Sequence, residues 1–170
     1  MRKLTGIILL FLLVAGTAVA QDFPKAEIFG GYQFTRQQSV NWNGWDAALT
    51  GNFNKWLGMT GDFSGAYKSQ NGIGVKSYTF TFGPTVAARS NETFTPFGHV
   101  LLGGFHQVAD ASGTSLGTNN GFAFIAGGGV DAKITPHIAA RLGQFDWMSF
   151  HASDASSNIF RYAGGVVFRF

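Results

Sequence analysis

The 170-residue chain contains no cysteine and few charged residues, which make up 12% of it. Without cysteine, a disulfide framework, a thiolate zinc site and thiol catalysis are excluded. Beyond residue 20, no apolar run reaches the roughly 18 residues that a membrane-spanning helix needs, and no segment keeps a 3.6-residue period. No metal-ligand spacing and no phosphate-binding loop is present. We therefore expect a chain built from strands, with no metal and no cofactor.

The formal net charge of +3 does not indicate a nucleic-acid partner. Two of the twelve basic residues, Arg2 and Lys3, lie in an N-terminal segment that we expect to be cleaved. Ten Lys and Arg then remain against nine Asp and Glu. Because this balance is close to neutral, we expect no binding to nucleic acid.

The N-terminus is typical of a secretory signal. A basic start is followed by an apolar run over residues 6–16 and by Ala18-Val19-Ala20, a cleavage pattern. The alternative, an uncleaved anchor, is disfavoured because the run is too short to span a bilayer as a helix. We expect a signal peptide over residues 1–20 and one domain over residues 21–170.

The last eleven residues, 160–170, alternate between two kinds of side chain. Side chains of a strand point to opposite faces in turn, so this segment predicts a strand with one apolar face and one face that carries two arginines. The apolar face contains Phe160, Tyr162, Gly164, Val166, Phe168 and Phe170.

The same period of two recurs throughout the chain and predicts eight strands of about ten residues, a length that suits a tilted membrane barrel. These strands cover residues 25–34, 44–54, 57–67, 76–88, 94–106, 122–133, 138–147 and 160–170. The 24 glycines are scattered through apolar stretches, as in a curved and crowded sheet.

The expected connections alternate in length. Residues 54–56, 89–93 and 134–137 form short turns, whereas residues 35–43, 68–75, 107–121 and 149–157 are longer and polar. Outer-membrane barrels have short periplasmic turns and long outer loops. We expect the longest loop, 107–121, to be mobile, and we expect it to offer, with 149–157, the surface for any extracellular ligand.

The second face of each strand carries charged residues. A soluble, calycin-like barrel would turn this face to water, whereas a membrane barrel turns it into a lumen. The signal segment and the terminal Phe170 favour the membrane barrel. An eight-stranded lumen barely holds its side chains, so we expect these charges to form ion pairs that close it, with a gate or narrow conduction path as the alternative. The candidates are Glu27, Asp46, Asp62, Asp131, Lys133, Arg141, Arg161 and Arg169.

Three positions conflict with a regular barrel. Pro84 lies within a strand and cannot donate a ladder hydrogen bond, so it belongs near the periplasmic rim or at a bulge. Arg141 has the opposite parity to Asp146, which requires a bulge near Gly143 if both face the lumen. The fifth strand fits either register, and one of them places His99 inside together with its apolar neighbours.

The chain resembles the eight-stranded outer-membrane family that includes the transmembrane domain of OmpA and the OmpX-like barrels. The resemblance rests on Gly30-Gly31-Tyr32, on Phe82-Gly83-Pro84, on residues 95–99 and on the ending 162–170. It implies an all-β, eight-stranded, antiparallel up-and-down transmembrane barrel in the outer membrane. It also implies contact with outer-membrane lipid and lipopolysaccharide, a monomer, and recognition of the last strand by the barrel-assembly machinery. The residues of that assembly signal are Tyr162, Gly164, Val166, Phe168 and Phe170.

We therefore expect a non-enzymatic protein with a structural or adhesive role through its outer loops. A small, low-conductance channel is the first alternative. A lipid A deacylase is the second, since His151 and Ser153 match the His-x-Ser pair of such barrels. It is disfavoured because Asp154 is immediately adjacent and no acid follows it, although a hydrolytic triad needs an acid that orients the histidine.

Overall fold

The computed structural model describes residues 23–37, 40–70, 73–111, 114–152 and 155–170. The expected signal peptide, residues 1–20, lies outside this part of the chain. No helix in the described residues has the length and apolar character needed to cross a bilayer.

Eight antiparallel strands form one closed barrel, which confirms the predicted fold class. Each strand pairs with its neighbours in sequence, and the last strand pairs with the first. The strands are β1 (Ala26–Gln37), β2 (Val40–Asn52), β3 (Leu57–Gln70), β4 (Ile73–Ala87), β5 (Phe94–Ala111), β6 (Thr114–Thr135), β7 (Ile138–Ala152) and β8 (Ala155–Arg169).

The chain ends close the barrel through backbone hydrogen bonds. The register of β1 on β8 runs from Glu27 opposite Arg169 to Arg36 opposite Phe160. Beyond β8, the amide of Phe170 donates to the carbonyl of Ala26 over 2.9 Å, and the amide of Ala26 donates back over 3.2 Å. The peptide groups of the last residue therefore complete the ladder that shuts the seam.

The apolar face of the strands lies on the outside. On β2, Trp45 and Leu49 are exposed while Asp46 and Ala48 between them are buried. The same alternation exposes large apolar side chains on every strand, among them Phe63, Phe80, Phe82, Phe145, Phe160 and Phe168. A barrel in water would place these rings in its interior, so this outward face fits a lipid environment. The soluble alternative is not supported.

The polar segments expected as long loops are strands, and that expectation was wrong. Residues 107–111 belong to β5 and residues 114–121 to β6, with Ala111 opposite Thr114. The segments 35–43, 68–75 and 149–157 likewise extend β1 and β2, β3 and β4, and β7 and β8. In each of these four hairpins, two residues separate the strands. Two of the three turns at the opposite end, over 53–56 and 88–93, are longer, and the third, over 136–137, has two residues.

We call the band of exposed apolar side chains the apolar belt. Beyond it, toward these hairpin ends, both faces of each strand meet water. The alternation of apolar and polar residues therefore ends there, although the hydrogen-bonded ladder continues.

A bulge in β7 resolves the parity conflict, as predicted. Asp131 pairs with Arg141 and Val130 with Gly143, so Leu142 is left over and exposed. The register with β8 shifts at the same place, between Arg141 and Gln144. The extra residue turns the side chains on both sides of it toward the lumen.

Two further uncertainties are settled by the register. His99 faces the lumen together with Leu101 and Phe105, and all three are buried. Pro84 lies near the turn end of β4, and no bulge accompanies it. The ladder to β5 instead lapses between the pairs Phe82–Leu102 and Thr85–His99 without any shift of register.

Candidate functional site in the barrel lumen

The centre of the lumen is occupied by the guanidinium of Arg161, which is 1% exposed. Its Nε donates to Asp146 Oδ2 over 2.8 Å. Its two terminal nitrogens donate to the two carboxylate oxygens of Asp62, each over 3.0 Å. Asp46 completes the group, with 3.7 Å between its Oδ2 and Nη1 of Arg161. We call Arg161 and these three carboxylates the central cluster.

The strand register explains how this cluster assembles. Asp146 and Arg161 are direct cross-strand partners on β7 and β8. Asp62 lies on β3, which is not adjacent to β8 in the barrel. The bidentate pair between Arg161 and Asp62 therefore crosses the bore, and bidentate guanidinium–carboxylate pairs are among the strongest polar contacts in proteins.

Asp146 is saturated with donors, whereas Asp46 is not. His99 Nε2 lies 2.8 Å from Asp146 Oδ1, and Gln144 Nε2 donates to Asp146 Oδ2 over 2.7 Å. Asp46 is equally buried, at 1% exposure, yet neither of its oxygens has a hydrogen-bond partner in the described residues. The two carboxylates thus have different chemical environments around the same guanidinium.

A second group, the lower cluster, lies toward the longer turns and is centred on Glu27. Arg169, its cross-strand partner, donates from Nε to Oε1 over 2.9 Å. Arg89 reaches in from the turn after β4 and donates to Oε2 over 2.6 Å. Asn52 Nδ2 donates to the same oxygen over 3.0 Å. Glu27 therefore ties together the seam of the barrel, strand β2 and one turn.

Arg141 connects the two clusters through Gln144, which donates to Asp146, and through Asp131, whose Oδ2 lies 3.6 Å from Nη2 of Arg169. Arg141 Nε donates to Asp131 Oδ1 over 2.8 Å, and its Nη1 donates to Gln144 Oε1 over 2.7 Å. The guanidinium lies 4.2 Å from the ring centroids of both Phe29 and Phe97. Such a sandwich holds a desolvated cation in place through the negative faces of the rings.

The lumen candidates that the sequence predicted divide into two sets. Seven contribute to the ion pairs just described, namely Glu27, Asp46, Asp62, Asp131, Arg141, Arg161 and Arg169. Lys133 forms no ion pair with any of the described residues. It lies near the turn end of β6, where the register with β7 shifts again, and its side chain is exposed.

Three titratable side chains of the network, Asp146, His99 and Arg89, were not among the predicted ion-pair candidates. Asp146 and His99 depended on the bulge and on the register of β5, which alternation left open. Arg89 was assigned to a turn, and only the length of its side chain brings it to Glu27. A signal for Asp146 did exist, since the bulge between it and Arg141 places both side chains on the same face. His99 has no charged residue within four positions in the sequence, so no such signal existed for it.

Above the central cluster, in the outer half of the lumen, lies a cavity of about 110 Å³. We call it the outer cavity. Its wall from β1 to β4 is largely polar and includes Gln33, Thr35, Trp42, Ser64, Ser77 and Thr79. Its opposite wall includes Phe105, Met148, Phe150 and Ile159, with the rings of Phe105 and Phe150 stacked at 4.7 Å. None of the described residues that line it is charged.

The remaining candidates lie outside the lumen. The proposed assembly-signal residues Tyr162, Gly164, Val166, Phe168 and Phe170 form the outward face of β8, where the four large side chains among them are exposed. His151 is exposed near the outer end of β7, and Ser153 and Asp154 lie outside the described residues. No group of three potential metal ligands occurs in the described part of the chain.

Neither a protein-family model nor a curated protein sequence matches the chain. Solved structures do. Ail, the attachment invasion locus protein of Yersinia pestis, is 21% identical, with a TM-score of 0.61 over 87% of this chain and 99% of Ail. Neisserial surface protein A is 12% identical, with a TM-score of 0.64 over 85% of this chain and 96% of its own.

The N-terminal barrel of Pseudomonas aeruginosa OprF gives a TM-score of 0.57 at 10% identity, over 88% of this chain and 100% of the OprF domain. The chain has the fold of the eight-stranded outer-membrane barrels. At these identities the likeness concerns the fold, and it supports, together with the apolar exterior, the predicted location in the outer membrane.

Proposed function

We propose that the chain is an integral outer-membrane protein that is closed to solutes and acts through its surface, without a catalytic role. The observation that carries the proposal is the pair between Arg161 and Asp62, which joins opposite sides of the bore within the central cluster. The lower cluster adds a second obstruction, with Arg89 drawn across from its turn to Glu27.

The charged side chains of the lumen favour a closed bore because they form ion pairs with one another. Five carboxylates meet four guanidiniums in the lumen, and each guanidinium lies within 3.0 Å of at least one carboxylate oxygen. Separating a buried pair exposes two uncompensated charges, so thermal opening of the bore is costly. A lumen built this way stabilises the barrel and resists the passage of ions.

The surface role belongs, in this proposal, to the outer ends of the hairpins, of which β5–β6 has the two longest strands, with 18 and 22 residues. One structure of Ail contains the heparin analogue sucrose octasulfate. Residues 107–121 of this chain contain no Lys or Arg, and Lys76 nearby pairs with Asp110 at 3.6 Å. These features favour a neutral, hydroxyl- and amide-rich contact surface over a site for a polyanion.

The partners that follow from this proposal are outer-membrane lipid and lipopolysaccharide around the apolar belt and the barrel-assembly machinery at the outward face of β8. We also propose a monomer, because the closed ladder has no free edge strand for pairing with a second chain.

A low-conductance channel is the second candidate, and one observation favours it. Asp46 receives no hydrogen bond from the described residues, and Ser64, its cross-strand partner, lines the outer cavity. The outer cavity thus extends from the outer rim to the strand pair that carries Asp46. The channel requires that the central cluster itself open.

Conductance of the refolded protein in planar bilayers, beside a lipid A deacylation assay, tests the proposal. Closed bilayers and unchanged lipid A are the expected results. Discrete current steps would favour the channel instead, and release of fatty acid from lipid A would contradict the non-catalytic assignment.

A further inference from the structure

The outer cavity has the features of a binding site that the proposed surface role does not use. A water molecule occupies about 30 Å³ of liquid volume, so a cavity of about 110 Å³ holds a few waters or one small organic molecule. Its wall extends to Ala152 and Ser156, next to the outer ends of β7 and β8. The cavity is therefore adjacent to the outer surface.

Two buried polar atoms of the wall have no partner in the described residues. They are the amide oxygen Oε1 of Gln33, a residue that is 2% exposed, and the indole nitrogen Nε1 of Trp42, which is 8% exposed. Native proteins rarely leave buried polar atoms unpaired, and such atoms commonly mark a site for water, an ion or a ligand. Gln33 Oε1 accepts a hydrogen bond, so it suits a ligand that carries an N–H or O–H group.

The charges beneath the cavity select a positive ligand. The central cluster has three carboxylates and one guanidinium, and a proton on His99 adds at most one further positive charge. When all three carboxylates are ionised, the cluster keeps an excess of negative charge. The oxygens of Asp46, which accept no hydrogen bond from the described residues, lie on the strand next to Ser64 in the cavity wall. A cation in the cavity would gain attraction in a medium of low dielectric constant.

The ring of Trp42 already interacts with an ammonium group of this chain. Lys68 Nζ lies 6.0 Å from the centroid of the Trp42 ring. This contact is at the edge of the cation–π range, and it shows that the ring is accessible to an alkylammonium group. The apolar side of the cavity, around Phe105 and Met148, is suited to the alkyl part of such a group.

We propose that the outer cavity binds a small alkylammonium compound, held by the face of Trp42, the amide oxygen of Gln33 and the negative charge centred on Asp46. Lys68 then acts as a tethered competitor at the entrance. The proposal is independent of the surface role and of the closure of the bore, because the site lies above the central cluster.

Trp42 supplies the signal for a test. It is buried in the lumen, whereas Trp45, Trp56 and Trp147 are exposed on the outside. In a variant with these three replaced by Phe, the emission of Trp42 is titrated with isopropylammonium chloride in a nonionic polyoxyethylene detergent. Isopropanol, which has a similar shape and no charge, and sodium chloride at equal ionic strength are the controls.

The expected result is a saturable change in emission with isopropylammonium and none with either control. In the same background, Asp46→Asn should weaken binding about tenfold, since it removes one close charge. Lys68→Gln should strengthen binding severalfold because it removes the competitor. Lys68 is outside the ion-pair network of the lumen. The Lys68→Gln variant therefore still tests the proposal if Asp46→Asn does not refold.

Three results would overturn the proposal. A change without saturation means that the cavity holds only water. An equal response to isopropanol means that the site is neutral. An unchanged or weaker affinity in Lys68→Gln means that the bound cation does not share the face of Trp42.

Discussion

Arg161 and Asp62 lie 99 residues apart in the chain, on strands that are not neighbours, and share two hydrogen bonds of 3.0 Å across the lumen. No local pattern connects the two residues. Their pairing follows from the closure of the barrel, which turns one face of β3 toward one face of β8. The contact links the fold to the proposed function, since it occupies the bore and cross-braces the barrel wall.

Arg161→Met should lower the free energy of unfolding by about 3–5 kcal/mol, the usual cost of breaking a buried ion pair, because three carboxylates lose their shared counter-ion. Asp46→Asn should leave stability unchanged or raise it, since Asp46 accepts no hydrogen bond from the described residues, and repulsion from Asp62 and Asp146 offsets its attraction to Arg161 at 3.7 Å. Urea unfolding of the refolded barrel measures both. Equal losses in the two variants would contradict the different environments of the carboxylates.

Glu27→Gln should also destabilise the barrel and open a small leak. The substitution leaves Arg169 and Arg89 without their shared carboxylate at the seam. Glu92→Gln is the matched control, because Glu92 is exposed in the same turn as Arg89 and should contribute well under about 1 kcal/mol. Unfolding in urea and ion leakage from liposomes are the measurements. Identical behaviour of the two variants would show that Glu27 does not hold the lower cluster.

Phe170→Ala should reduce the amount of protein assembled in cells while leaving refolding into detergent nearly unchanged. The ring is 56% exposed, so its loss removes little packing, and the backbone bonds to Ala26 remain. Phe53→Ala is the control, since Phe53 is 66% exposed at the same end of the barrel. Equal losses of Phe170→Ala in cells and in detergent would argue against a recognition role.

The hairpin of β5 and β6 should be ordered along its ladder beyond the apolar belt. Amide hydrogen exchange should therefore be slow for the paired residues from Phe105–Gly121 up to Ala109–Gly117. Replacement of residues 111–119 by a short Gly-Ser link should leave the heat-modifiable gel shift intact, because the barrel closes below this level. Fast exchange over the whole of 107–121 would instead support the mobile loop that the composition alone had indicated.

The sequence was informative where one strand face meets lipid and the other meets the lumen. There the period of two is physically enforced, and it predicted all eight strands, while the inward face of the fifth strand stayed open. It even required the bulge that brings Arg141 and Asp146 to one side. Beyond the apolar belt, Ser, Thr, Asn and Gly are compatible with either a loop or a solvated ladder. The predicted strands therefore end before the outer ends of the observed strands.

The contacts within the lumen were less accessible. Parity identifies which side chains face inward, and cross-strand neighbours such as Glu27 and Arg169 follow from the order of the strands. Contacts across the bore depend on the tilt and stagger of a closed barrel, which one sequence does not reveal. For this reason alternation alone does not pair Arg161 with Asp62, and it does not indicate that Asp46 accepts no hydrogen bond from the described residues.

Single-channel recording in planar bilayers, with the double variant Arg161→Ala/Asp62→Ala beside the unmodified protein, tests the central claim most directly. The double variant removes the contact that crosses the bore and leaves Asp146 paired with His99 and Gln144. A retained gel shift first establishes that it folds. We expect the unmodified protein to keep bilayers closed and the double variant to produce discrete current steps. Steps of the same size from both proteins would contradict closure of the lumen by this pair.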